Sequence, residues 1–112
     1  ADFMSFKDLS AEEKQVVFEC LRAAAIGPFF PDWEFQTLFG IERSDVKEIV
    51  DIWPHIERNY NALDAMIGSM NHLLGYPHGC DQEWPEYISA PPKEVYRILR
   101  KLVGESGDDS AA

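Results

Sequence analysis

Apolar residues recur at intervals of four, three, four, three and four from Ile56 through Tyr60, Leu63, Ile67 and Met70 to Leu74. A period near 3.6 sustained over about five turns fits a helix with one apolar stripe and does not fit a strand, whose side chains alternate every second residue. The spacing predicts a central helix that stops where Gly75 and Pro77 interrupt it. Gly68 within it costs roughly 1 kcal/mol relative to alanine, so a close helix crossing is expected there.

The flanking segments carry the same kind of signal. Ser10 and Glu13 form a capping box, and Val17, Cys20, Leu21 and Ala24, joined by Phe18 and Ala25, fall on one face. A helix over residues 11–26 is predicted, stopped by Gly27 and Pro28. In the next stretch Pro31 suits a first helical turn, Asp32 and Glu34 complement the positive end of the dipole, and Phe35, Leu38 and Phe39 point inward. Gly40 is placed to end that helix in a left-handed conformation. Ser44 is the expected N-cap of a further helix carrying Val46, Ile49, Val50 and Trp53, which Pro54 ends or bends.

Residues 75–88, "GYPHGCDQEWPEYI", have no helical period and read as a long aromatic loop pinned by Trp84, Tyr87 and Ile88. Pro91 and Pro92 then introduce a last helix with Val95, Ile98, Leu99 and Leu102 inward, closed by Gly104. No segment sustains strand alternation. The fold class is therefore all-α: one domain of about five helices over residues 4–104, with a helix-turn-helix-like hairpin and a long loop before the last helix. Residues 1–3 precede Met4 and read as a non-native leader, and 105–112 as a disordered acidic tail.

Twenty acidic residues against ten basic ones give a net charge of −10. Nucleic acid and anionic lipid demand positive charge, so a basic protein is the better partner, although acidity also serves solubility. No apolar run reaches the ~18 residues of a membrane span, and two cysteines fit a reduced cytoplasmic protein. A single Cys20–Cys80 bridge is the alternative. Five aromatics, Phe29, Phe30, Trp33, Phe35 and Phe39, exceed what one short helix can bury, so they fill the core or reach a partner; a homodimer hiding the surplus is compatible with each functional class weighed below.

The stretch from Phe35 to Val50 has the apolar pattern of a DNA-reading helix-turn-helix, with Gly40 in the turn. Its second helix would offer Glu42, Arg43, Ser44, Asp45, Lys47, Glu48 and Asp51 to the groove, and four acids against two bases repel phosphate. A structural hairpin, or an acidic protein-binding face, fits better.

His72, His78, Cys80 and Asp81 are the right residue types for a transition metal, but their spacing matches no zinc module; His72, His78 and Cys80 stay weak metal candidates. The simpler expectation places His72 on the polar side of the central helix and has His78 bonding to backbone in a proline–glycine turn. Cys80 beside His78 and Asp81 suggests a nucleophile with a base only weakly, because such groups meet in space and not in sequence. Asp64 is a candidate for burial. No glycine-rich phosphate loop is present, no cofactor is assigned, and no catalytic residue is named.

The segments "GPFFPDWEFQTLFG" and "LLGYPHG" resemble a group of small, uncharacterised, acidic bacterial helical proteins with PDWEF-like and LLGYPHG-like stretches. That resemblance, over roughly residues 8–100, implies a bacterial origin and a compact helical fold, and transfers no activity. In size and charge alone the chain is similar to the immunity proteins that neutralise bacterial toxins. The expected function is a non-catalytic protein-binding module, an immunity or antitoxin-like inhibitor that covers a partner with an acidic surface. Its expected partner-binding residues are Asp32, Trp33, Glu42, Asp45, Glu48 and Asp51, with Trp84 and Glu86 as a second set. The alternatives are an atypical helix-turn-helix regulator and a small metal-dependent enzyme.

Overall fold

The computed structural model describes residues 6–56, 59 and 61–103. Among them are six helices and no strand: α1 (Ala11–Ile26), α2 (Asp32–Phe39), α3 (Arg43–Ile52), α4 (Ala62–Gly75), α5 (Trp84–Tyr87) and α6 (Pro92–Leu102). The leader, Tyr60, Gly104 and the acidic tail lie outside the described residues.

The first helix starts as its sequence dictates. Glu13 N donates to Ser10 Oγ at 3.1 Å, and Ser10 N donates back to Glu13 Oε1 at 2.8 Å. Val16, Val17, Cys20, Leu21 and Ala23–Ala25 of α1 are buried, and α3 and α4 pack on that surface. At Gly27 a Cβ atom would come within 2.6 Å of the Ala23 carbonyl oxygen, so only glycine lets the chain leave the helix here. Gly40 ends α2 with φ of 75°, the left-handed turn that an L side chain disfavours.

Two consecutive phenylalanines then divide the core. Phe29 meets the long loop through edge contacts with His78, Trp84 and Tyr87, whereas Phe30 meets Phe35, Phe39 and Tyr76 of α2 and the end of α4. Phe35 and Phe39, one turn apart, stack at 4.2 Å. Trp53 closes the other end of α1 against Phe6 and Phe18. The inward residues of α6, Val95, Ile98, Leu99 and Leu102, are all buried as their spacing predicts.

Four expectations require correction. The central helix begins at Ala62, so Ile56 belongs to the preceding turn even though it is buried. Its buried stripe is Ala62, Ala65, Met66, Ser69, Met70 and Leu73; Leu63, Ile67 and Leu74 are only half-buried. The small residues Ala62, Ala65 and Ser69 let α4 seat closely, which rotates the larger aliphatics to the margin. Gly68 is not a close crossing, since a Cβ there would touch the Phe39 ring at an ordinary 3.5 Å. The N-cap of α3 is Glu42, whose amide donates to Asp45 Oδ2 at 2.9 Å, so Ser44 falls inside the first turn. Finally, the loop contains the four-residue α5, too short to show a period. No helix among the described residues is long and apolar enough to cross a membrane.

Candidate functional site

The corner between α2 and α3 is organised by one side chain. Arg43, the first residue of α3, donates through Nη1 to the carbonyls of Ala24 (3.0 Å) and Ala25 (3.3 Å) and through Nη2 to that of Phe30 (2.6 Å). The last carbonyls of α1 have no partner within the helix, and its last turn holds no basic residue. Arg43 supplies both the donors and the positive charge that this negative end favours. Its guanidinium lies 4.5 Å from the centre of the Phe35 ring, and its Nε donates to Asp32 Oδ1 at 2.9 Å. The corner is thereby fixed to the body of the protein.

What the corner displays is mostly acidic. Trp33 follows Asp32 in the first turn of α2 and is 80% exposed, the most exposed large apolar side chain among those described. Along α3, Ser44, Lys47, Glu48 and Asp51 face outward and Glu42 is exposed at its start, while Asp45 is half-buried by its capping bond. Glu42, Glu48 and Asp51 make no ion pair among the described residues. Of the two bases in this element, Arg43 is committed inward, leaving Lys47. Glu34 turns back to accept the Tyr76 hydroxyl, whose proton is held more tightly for that bond, and this ties α2 to the end of α4.

The second expected set divides. Trp84 is 6% exposed and donates Nε1–H to the Ala90 carbonyl at 2.7 Å, so it is a core residue and not an anchor for a partner. Glu86 is exposed. Asp64 is exposed too, against the expectation of burial.

His72, His78 and Cys80 are occupied with backbone. His72 donates Nε2–H to the Leu38 carbonyl at 2.7 Å, in the last turn of α2, and lies half-buried against Phe39. His78 Nδ1 accepts from the Cys80 amide at 2.9 Å, which leaves the proton on Nε2 to be donated to the Leu73 carbonyl at 3.1 Å, in the last turn of α4. Three helix C-termini are therefore capped by side chains from outside the helix: α1 by Arg43 and α2 by His72 from far along the chain, and α4 by the nearby His78. Cys80 Sγ points at the carbonyls of Pro28 and His78 and not at an imidazole nitrogen. Partial burial and the charges of Glu83 and Asp81 push its thiol up, the reverse of an activated nucleophile. Cys20 and Cys80 are unlinked, and Cys20 is buried, with burial and then Glu19 raising its thiol. Among the described residues no three His, Cys, Asp or Glu side chains gather as a metal site.

A second polar cluster joins α1 to α6. Glu13 accepts from Lys101 Nζ at 2.8 and 3.0 Å and pairs with Arg97 at 3.1 Å, while Arg97 also clasps Glu94. Desolvation raises the Glu13 pKa, but the bonds from Lys101, the Ser10 amide and Arg97 outweigh it and bring the group to about 2. Its capping role is legible from sequence; its link to α6, 88 residues away, is not. No protein-family model matches the chain, and no curated protein or solved structure is significantly similar to it.

Proposed function

We propose that this protein is a non-catalytic binding module, an immunity or antitoxin-like inhibitor that covers a basic partner protein with the α2–α3 corner. The observation that carries the reading is Trp33, 80% exposed in the first turn of α2, on a corner that Arg43 ties to the body of the protein. Tryptophan is the side chain most enriched among residues that dominate binding energy, and rigid mounting lowers the ordering cost on association. Glu42, Glu48 and Asp51 along the adjoining α3 make no ion pair among the described residues, and their charge speeds encounter with a basic surface and disfavours acidic competitors. The His72 and His78 rings and the Cys80 thiol, the groups nearest to a chemical site in the sequence, are instead engaged with backbone, which supports binding over catalysis.

Pull-down from the native cell extract, with the Trp33→Ala and Glu48→Lys/Asp51→Lys proteins as parallel baits, tests this. A stoichiometric basic protein held by the wild type, released by salt and absent from both variants is the expected result. Equal capture by wild type and variants would remove the corner from the interface.

A further inference from the structure

The outward face of α6 is unlike the rest of the surface. Four of the ten basic residues of a chain with net charge −10 lie in this one helix, against a single acid, Glu94. Its inward residues belong to the core, and its outer side borders a groove of about 570 Å³ lined by Pro91, Lys93, Tyr96, Arg97, Arg100 and Lys101, with Glu94 as the lone carboxylate. Tyr96 is half exposed, with Arg100 set 5.5 Å from its ring centre and donating to its hydroxyl at 3.2 Å. Arg97 meets Glu94 and Glu13 through Nε and Nη2, which fixes the guanidinium and leaves its Nη1 hydrogens for another acceptor. Lys93 is exposed and has no ion-pair partner among the described residues.

At Pro91 this groove meets a second one, also of about 570 Å³, lined by Trp84, Pro85, Ile88, Ala90, Pro91 and Pro92 with Asp81 as its only charged group. The two together form a channel that is cationic at one end and apolar at the other. Proline shelves keep such a surface stiff, and Pro91 and Pro92 present no amide hydrogen that needs a partner.

We propose that this channel is a docking site for an extended acidic segment of a protein partner, with carboxylates over α6 and an apolar side chain seated beside Trp84 and Pro85. Charge complementarity selects the occupant: in a chain of net charge −10, α6 gathers four bases against one acid, so an acidic segment is favoured here over the acidic α2–α3 corner. Extended backbone, which alternates its side chains, lets a short segment offer carboxylates to one groove and an apolar side chain to the next. The site is separate from the α2–α3 corner, because α3 packs on α1 while α6 packs chiefly on α4. One protein can thus hold a basic partner on one flank and an acidic tail on another.

The probe is a fluorescein-labelled octapeptide of six glutamates followed by leucine and phenylalanine, titrated with the whole protein at low salt and followed by anisotropy and amide NMR shifts. Binding is expected, with shifts confined to the two grooves, residues 81–92 and 91–101. Lys93→Glu and Tyr96→Ala, both at exposed positions, should each weaken it about tenfold or more, whereas Lys47→Glu and Trp33→Ala should leave it unchanged. Roughly tripling the salt should weaken it further. Absence of binding, shifts centred elsewhere, indifference to Lys93→Glu, or equal binding of the glutamine counterpart of the probe would overturn the proposal.

Discussion

The seam between α1 and α6 and the corner between α2 and α3 are both built around carboxylates, yet they put them to opposite use. At the seam Glu13 is 8% exposed and its oxygens accept from the Ser10 amide, Lys101 and Arg97. At the corner Glu48 and Asp51 stand in solvent without ion-pair partners among the described residues. The tryptophans repeat the contrast, Trp84 being enclosed and satisfied by Ala90 while Trp33 has its ring in water. The difference lies in what reaches each group from far along the chain, since residue type alone is the same. The fold is held where distant donors converge, at the seam and through Arg43 at the corner, and the proposed binding surface is what those donors leave exposed, Trp33, Glu48 and Asp51.

The sharpest way to break the contrast is to truncate both tryptophans. Trp84→Ala removes a buried indole and orphans the Ala90 carbonyl, so it should cost about 3–5 kcal/mol by denaturant titration. A cost below about 1 kcal/mol would show that Trp84 is not a core residue.

Arg43 belongs to the corner by position and to the fold by its bonds. Arg43→Ala strips the carbonyls of Ala24, Ala25 and Phe30 of their shared donor and should destabilise by about 2–3 kcal/mol. Hydrogen exchange should rise first at the C-terminal turn of α1.

Acid probes the seam more gently. The Glu13 pKa, near 2 in the folded protein, lies below its ordinary 4.5, so its contribution is full above pH ~4.5 and fades as pH falls toward 2. Because Lys101 and Arg97 are partly solvated, that contribution is about 2 kcal/mol. Glu13→Gln should therefore melt below wild type at pH 7, with the two melting curves converging as pH drops toward 2. A gap that stays constant with pH would contradict the ion-pair assignment.

Gly68→Ala tests the margin of the core. Space for the added Cβ against Phe39 and the better helix propensity of alanine together predict a gain of up to about 1 kcal/mol. A loss would restore the close crossing that the sequence pattern predicts.

Local signals were legible and distant ones were not. The start and end of α1, the left-handed Gly40 and the buried face of α6 follow from caps and spacing within a few residues, and all three are as predicted. The stripe of α4 is rotated from expectation because small residues, which carry little hydrophobic weight in a pattern, decide how closely helices seat. Arg43 went unseen because its acceptors are carbonyls 13 to 19 positions away, which have no side-chain signature. His72 looked chemical for a related reason: its type is legible, but its engagement with the Leu38 carbonyl, 34 positions distant, is not. Composition alone also could not sort Trp33 from Trp84.

The most direct test is a pair of measurements on Trp33→Ala: its melting temperature and its capture of the salt-released partner, each beside wild type. An unsupported surface indole predicts stability within about 0.5 kcal/mol of wild type together with loss of the partner. Destabilisation as large as that of Trp84→Ala, or undiminished capture, would contradict the division of labour between corner and seam.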